Sequence, residues 1–366
     1  MEKLRAFLKR KNIEISAKRY GIDALGAMAQ GLFCSLLIGT IVKTLGQQLG
    51  MEFLIEVGGY ASAMSGAAMA VAIGYALKAP PLVLFSLVTV GYAANALGSV
   101  TLSGGSGAGG PLAVLFIAVI AAELGKAVSK ETKIDILVTP LVTILAGVAL
   151  SAWWAPAIGT AASAVGDFVK WATVLQPFWM GILVSVVIGI ALTLPISSAA
   201  ICAALTLTGL AGGAAVAGCC ANMVGFAVLS FRENRWGGLV SQGIGTSMLQ
   251  MPNIVKNPRI WLPAILTSAV TGPLATCVFR LEMNGDPINA GMGTCGFCGQ
   301  LGVWTGWVNP SATALANGAS AIAPAAFDWA GLLLISFVLP AVLTWLFGLF
   351  FRRIGWIKPG DLTLPQ

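Results

Sequence analysis

The sequence predicts an all-α, polytopic membrane protein, and three observations support this fold class. Hydrophobic residues occupy 57% of the 366 positions and charged residues only 10%, against roughly 25% charged residues in ordinary globular domains. Apolar runs of about 20 residues recur along the chain, which is the length that a helix needs to cross roughly 30 Å of hydrocarbon. The charged residues lie in short clusters between these runs. We therefore expect membrane-spanning helices joined by short loops.

The N-terminal half is predicted to cross the membrane five times. Its apolar runs fall near 22–46, 53–77, 80–100, 109–128 and 134–154. The first run is too long for a signal-peptide core, so residues 1–20 are interpreted as a basic, amphipathic, cytoplasmic lead-in to an uncleaved first helix. This orientation places a basic loop on the cytoplasmic side, as the positive-inside rule expects; the loop contains Lys126, Lys130 and Lys133. The glycine- and serine-rich stretch from Ser103 to Gly110 is predicted to be a flexible outer loop.

The middle of the chain is less regular. The alanine-rich segment 156–175 is predicted to be an amphipathic linker at the outer membrane interface. The nearly uncharged stretch from Gln176 to Phe231 then has to end on the cytoplasmic side, because it is followed by Arg232 and Arg235. An odd number of crossings is required, and three short helices fit its length.

The C-terminal part contains a segment that enters the membrane without crossing it. Residues 239–256 end in cations on the same side as the arginines before them, so we expect them to return to that side. Two further spans, near 260–280 and 328–351, complete about ten crossings. Residues 356–366 follow as a cytoplasmic tail, so that both termini are predicted to be cytoplasmic.

Composition also excludes several functions. The net charge of +7 is explained by the positive-inside rule, and no basic stripe interleaved with aromatic residues indicates nucleic-acid binding. The chain contains no histidine, which removes imidazole as a catalyst, proton relay or metal ligand. Its seven cysteines show no secretory framework, which predicts buried thiols rather than disulfides. We expect no metal, no cofactor and no catalytic residues.

The first candidate for a solute site is the interruption Leu194-Pro195-Ile196-Ser197-Ser198. Non-helical backbone at membrane depth is tolerated where it is buried in protein or lines a water-filled cavity. Proline frees a carbonyl in the preceding turn, while Ser197 and Ser198 offer hydroxyl groups to a polar solute. Alternatively, these serines only satisfy the backbone groups around a proline kink.

The second candidate is the stretch from Gly245 to Asn253. It contains four polar side chains that a re-entrant tip would present to a solute: Thr246, Ser247, Gln250 and Asn253. The alternative is an ordinary cytoplasmic loop. We expect this stretch and the Pro195 interruption to face each other in the C-terminal half.

The third candidate lies between Asn284 and Asn309, where glycines are dense around Gly293 and Thr294. Gly291, Gly293 and Gly296 match the dinucleotide-binding spacing, but no strand precedes them, so the match is interpreted as accidental. Glycine here lets backbone approach a ligand or another helix closely.

Several of these stretches resemble the EIIC-like membrane family, which groups with the sugar-translocating IIC subunits of the bacterial phosphotransferase system and includes proteins labelled as perfringolysin regulators. The stretches are Tyr20–Gly31, Leu194–Ala200, Gly245–Asn253 with Asn257-Pro258-Arg259, and Gly291–Thr294. The resemblance implies a homodimer in a bacterial inner membrane, with scaffold and dimerisation helices in 21–155 and a transport domain in 176–355. It also implies an elevator-type displacement, and leaves open whether separate IIA and IIB proteins couple transport to phosphorylation.

The function predicted from these features is transport of a small polar solute, sugar-like or otherwise organic, because the candidate side chains are neutral donors and acceptors. A membrane-bound regulator that retains the transporter fold is the alternative, supported by the basic lead-in. A membrane enzyme ranks last, since the sequence contains no evident pair of nucleophile and base.

Overall fold

The fold was established from a computed structural model that describes residues 2–102, 107–173 and 175–364. Side chains are described for these residues except 2–5, 163, 170 and 204. The described residues form helices and connecting loops, with an isolated antiparallel bridge between Gly209 and Met283. The predicted all-α membrane fold is therefore confirmed. The outer loop predicted at Ser103–Gly110 lies partly outside the described residues.

The chain forms two compact units that divide between Ala162 and Ser163. The helices of the first unit are α1 (Glu2–Arg10), α2 (Arg19–Leu49), α3 (Glu52–Ala63), α4 (Ser65–Ala76), α5 (Pro81–Gly98), α6 (Gly110–Val128) and α7 (Asp135–Thr173), the last of which continues into the second unit.

Local sequence accounts for the helix ends of the first unit. Gly50 ends α2 with a φ of 66°, a conformation that glycine adopts without steric cost. Pro81 occupies the first turn of α5, where a missing N–H is tolerated. Helices α3 and α4 are bent by 47° at the break between them and together form one broken apolar span.

Helix α7 differs from its prediction. The segment 156–175, predicted to be a separate linker, continues α7 through Pro156 as far as Thr173. The resulting helix of 39 residues is about 58 Å long, far more than the bilayer core requires. The position of its C-terminal half at a membrane interface stays a prediction.

The second unit is built around one buried helix. Its helices are α8 (Pro177–Thr193), α9 (Ser198–Ala204), α10 (Gly209–Leu229), α11 (Phe231–Val240), α12 (Met251–Lys256), α13 (Pro258–Val278), α14 (Cys298–Val308), α15 (Ala312–Ala316) and α16 (Ala326–Arg353). Helix α10 packs against α8, α13 and α16. A Cβ atom on Gly218 would lie 1.8 Å from the carbonyl oxygen of Ser185, so glycine is required where α10 and α8 meet.

Helix length limits how many of the helices can cross a membrane. Seven helices of the described residues are long and apolar enough to cross a membrane, or eight if the bent pair counts as one span, and α8 is a shorter apolar helix. Three helices occupy the stretch from Gln176 to Phe231, as predicted, but α9 has seven residues and is about 10 Å long, too short to cross. The count of ten crossings stays a prediction.

Candidate functional site

The first interruption connects α8 to α9 in the second unit. Helix α8 ends at Thr193, and Ser197 begins α9 by accepting a hydrogen bond from the backbone N–H of Ala200, at 3.2 Å. The hydroxyl of Ser198 donates to the carbonyl oxygen of Gly291 at 2.7 Å, and its side chain is buried. In this structure, therefore, Ser197 caps a helix and Ser198 joins the first interruption to the glycine-rich third region.

The second interruption is a break between two helical segments. A π-helical turn, Ser241–Gly245, continues α11, and a short 3₁₀ helix, Ser247–Gln250, leads into α12. Thr246 lies between them in an extended conformation, with φ at −157° and ψ at 143°. Its hydroxyl accepts from the backbone N–H of Met248 at 3.1 Å. The four side chains predicted for the site here are all buried: Thr246, Ser247, Gln250 and Asn253.

A direct side-chain contact joins the two interruptions. The hydroxyl oxygens of Thr193, at the end of α8, and Ser247, just after the second break, are 2.7 Å apart. Thr193 also lies 3.3 Å from the Oδ1 atom of Asn222 on α10. That oxygen accepts a hydrogen bond of 2.9 Å from the indole N–H of Trp261, and the Asn222 amide donates to Ser268 at 3.2 Å. The result is a buried, neutral hydrogen-bond network in the core of the second unit.

Gln250 and Asn253 contact the C-terminal segment of the chain itself. The Gln250 amide donates to the carbonyl oxygen of Leu362 at 2.9 Å, and the Asn253 amide donates to that of Thr363 at 2.8 Å. Asn234 adds two hydrogen bonds, one donated to Leu362 and one accepted from the backbone N–H of Leu364. The segment predicted to be a cytoplasmic tail is thus docked on the second interruption over its described residues.

The glycine-rich third region packs against α10. Gly293 has a φ of 53°, and a Cβ atom there would lie 2.6 Å from the Cβ of Cys219. The Thr294 hydroxyl is buried and lies 3.5 Å from the sulfur of Met223. Gln300, which follows on α14, donates from its amide nitrogen to the sulfur of Cys220 at 3.3 Å. Its buried Oε1 atom has no hydrogen-bond partner among the described residues. A buried acceptor of this kind normally requires water or a ligand.

Two adjoining cavities of the second unit lie apart from the eight predicted residues. Their volumes are about 370 Å³ and 360 Å³, and they share Glu282 and Asn284 in their linings. The Asn284 amide donates to the Glu282 carboxylate at 3.0 Å, and the Asn317 amide donates to the hydroxyl of Thr208 at 3.0 Å. None of the eight predicted residues lines either cavity. Along the chain, α9 lies between the first interruption and Leu205, which lines the larger cavity.

The structure therefore brings the three candidate regions together around α10 and adds polar groups that sequence reasoning did not select. Asn222, Thr193 and Gln300 are neutral polar residues inside long apolar helices or beside them. Their only signal in the sequence is a polar residue among apolar neighbours. Asn284, at the start of the third candidate region, lines both cavities, whereas Glu282 lies outside that region. The arrangement offers hydrogen-bond donors and acceptors without a reactive group.

Metal binding and disulfide formation find no support in the described part of the chain. No group of three or more histidine, cysteine, aspartate or glutamate side chains there could hold a metal ion. All seven cysteines belong to the described residues, and no disulfide joins them. Five of them are buried as predicted, whereas Cys34 and Cys277 are exposed at helix surfaces. The prediction of burial was wrong for those two.

The long apolar helices and the broken helices between them define a polytopic integral membrane protein. The family model described as phosphotransferase system, EIIC, matches residues 22–364. The chain therefore belongs to the EIIC family, as its sequence motifs predicted. The comparison with curated proteins and the comparison with solved structures gave no match.

Proposed function

We propose that the protein transports a small, neutral, polar solute across a bacterial inner membrane by alternating access. The contact between Thr193 and Ser247 carries this proposal, because it joins two breaks in helices at one point of the second unit. Breaks of this kind expose backbone donors and acceptors at membrane depth, and transporters use them to bind solutes. The eight predicted residues and Gln300 would contact the solute when the breaks separate.

The chemistry of the second unit favours a sugar-like or other hydroxyl-rich solute. The buried side chains that join the three regions are hydroxyls and amides, which exchange hydrogen bonds with hydroxyl groups at little net cost. The cavities that share Glu282 and Asn284 would admit the solute before it reaches the breaks. Their individual volumes of about 370 Å³ and 360 Å³ lie within the range of roughly 300–1,000 Å³ typical of small-molecule sites.

The remaining features follow from membership of the family. We propose about ten crossings with both termini in the cytoplasm, a homodimer formed by the helices of 21–155, and an elevator-type displacement of the transport domain 176–355. Separate IIA and IIB proteins would be the cytoplasmic partners if phosphorylation accompanies uptake. The protein itself would supply no catalytic residue.

Uptake by proteoliposomes that contain the full-length chain tests the proposal. A screen of labelled neutral sugars and other polar organic solutes should identify at least one that enters faster than it enters empty vesicles. Thr193→Val removes the hydroxyl at the contact and keeps the side-chain shape, so it should reduce uptake about tenfold. Thr271→Val is the matched control, because the Thr271 hydroxyl bonds only to carbonyl groups of its own helix α13. The proposal fails if no solute enters, or if the two variants transport equally.

A membrane-bound regulator is the second candidate, and one observation favours it. The basic lead-in is fixed to the first unit, where the ammonium group of Lys126 donates to the carbonyl oxygen of Asn12 at 2.9 Å. Such an anchored segment suits contact with a cytoplasmic partner. Deletion of residues 2–15 distinguishes the two functions, since a transporter would keep solute uptake, whereas a regulator would lose partner output and show no uptake in either form.

A further inference from the structure

The first unit contains a basic cavity that neither the transport proposal nor the family assignment uses. Its volume is about 330 Å³. It is bordered by the residues that follow α1, by the loop between α4 and α5, and by the residues that follow α6. Five of the side chains that line it are cationic: Arg10, Lys11, Lys78, Lys126 and Lys130. The one carboxylate in the lining belongs to Glu131.

Three of these five cations have partners within the first unit. Lys11 and Arg10 both pair with Glu131, the latter at 2.8 Å. Lys126 is almost completely buried, pairs with Glu123 at 2.8 Å and donates to the carbonyl oxygen of Leu77 at 3.1 Å. The C-terminal ends of helices attract cations in this way. These three cations therefore stabilise the loops that surround the cavity.

Two lysines remain without such a role. Lys78 and Lys130 are exposed at the cavity and form no ion pair within the described residues. Both have left-handed backbone, with φ of 56° and 61°, a conformation that costs free energy for any residue with a long side chain. Each lies just beyond the end of a helix, α4 and α6 respectively. The fold thus brings two unpaired ammonium groups, from two different loops, to one cavity.

The surroundings do not neutralise the cavity. Two carboxylates lie outside the lining, that of Glu123 beside Lys126 and that of Asp135, which accepts from the backbone N–H of Lys130 at 2.6 Å. Counted with Glu131, these make three carboxylates, so the five cations of the lining leave an excess of two positive charges. The cavity also reaches Pro80, next to the first turn of the 18-residue helix α5. The N-terminus of a helix carries partial positive charge and attracts anions.

We propose that this cavity binds a phosphate group. A phosphate carries one to two negative charges near neutral pH and presents oxygen acceptors to ammonium and guanidinium donors, which matches the charge excess and the donors of the cavity. The same chemistry has two sources, a soluble phosphate compound or the headgroup of an anionic phospholipid. The pairing of Lys11 and Arg10 with Glu131 closes the α1 side, so a bound phosphate would also hold the lead-in in place.

Binding by the full-length protein in nanodiscs tests the proposal and separates the two sources. In nanodiscs of phosphatidylcholine, inorganic phosphate is titrated and binding is followed by calorimetry and by the thermal midpoint of unfolding. In a second arm, phosphatidylglycerol replaces part of the lipid and its retention is measured by native mass spectrometry. We expect binding in at least one arm. The phosphate arm alone indicates a soluble ligand, and the lipid arm indicates a headgroup site.

The double variant Lys78→Gln and Lys130→Gln should weaken that binding at least tenfold and abolish the accompanying rise in thermal midpoint. The matched control is Lys18→Gln with Lys133→Gln, which removes two exposed lysines of the same unit that do not line the cavity. Circular dichroism and size-exclusion chromatography verify that both variants fold. The proposal is overturned if neither probe binds, or if the control loses binding as much as the cavity variant does.

Discussion

The two units bury different kinds of polar side chain. In the first unit, Lys126 and Arg19 are 1% and 8% exposed, and both donate to the carbonyl oxygen of Leu77. The second unit buries neutral groups most deeply, such as Asn222 and Ser247, and the side chains of its ion pair, Arg352 and Glu233, are 17% and 10% exposed. Among the described residues, the most deeply buried charge, that of Lys126, thus lies where the loops of the first unit are joined.

This difference between the buried polar groups fits the proposed role of each unit. Breaking one neutral hydrogen bond costs about 1 kcal/mol when the partners find replacements. Removing one partner of a buried ion pair costs roughly 3–5 kcal/mol, because the other charge is left without compensation. The network around Asn222 can therefore exchange its partners for those of a solute, whereas the ionic cluster around Lys126 fixes the lead-in to the first unit.

The strongest test of this comparison removes the buried cation of the first unit. Lys126→Met should lower the free energy of unfolding by about 3 kcal/mol, because Glu123 and the carbonyl group of Asn12 lose their donor, while that of Leu77 keeps only Arg19. The double variant Lys126→Met with Glu123→Gln should recover part of that loss, since no isolated charge remains. Unfolding of the purified protein in mild detergent measures both values. If the single variant loses less than 1 kcal/mol, the ionic cluster does not hold the unit together.

A smaller effect is expected in the second unit. Asn222→Leu should lower the free energy of unfolding by about 2 kcal/mol, because the indole N–H of Trp261 and the hydroxyl of Ser268 lose a buried partner. It should also abolish the uptake that Thr193→Val only reduces. Asn95→Leu provides the matched control in the first unit, where the amide makes a single long contact of 3.5 Å with Ser65. Equal destabilisation by the two variants would contradict the contrast between the units.

The sequence predicted the breaks in the second unit because proline beside clustered polar residues disfavours a continuous apolar helix. Pro195 and the Thr246 region therefore stand where they were expected. For the contact of Thr193 with Ser247, the sequence predicted only that the two regions face each other. Thr193 itself carried no signal, because a threonine inside a transmembrane helix usually bonds its own backbone.

Other features depend on partners that have no sequence signature. Gln250 and Asn253 looked available to a solute, but they donate to backbone carbonyl groups of Leu362 and Thr363. Any residue can provide a backbone carbonyl group, so no sequence pattern at Leu362 and Thr363 predicts these hydrogen bonds. The partners of Gln250 and Asn253 are thus set by tertiary contacts rather than by local preference. Helix α7 was predicted to end near 154 because an amphipathic linker was expected to follow its apolar run, yet it continues through Pro156 as far as Thr173.

The smallest expected effect concerns the docked C-terminal segment, which connects a neutral network of the second unit to the chain end. Deleting residues 363–366 keeps the buried Leu362 and should lower the free energy of unfolding by about 1 kcal/mol, because the amide of Asn253 and the Oδ1 atom of Asn234 lose their backbone partners. Thr363→Ala is the matched control, since it keeps the carbonyl group that Asn253 contacts and changes only an exposed side chain. Hydrogen exchange of the backbone around Thr246 should accelerate in the deletion and stay unchanged in the control. Unchanged exchange in both would show that the segment lies on the second interruption without stabilising it.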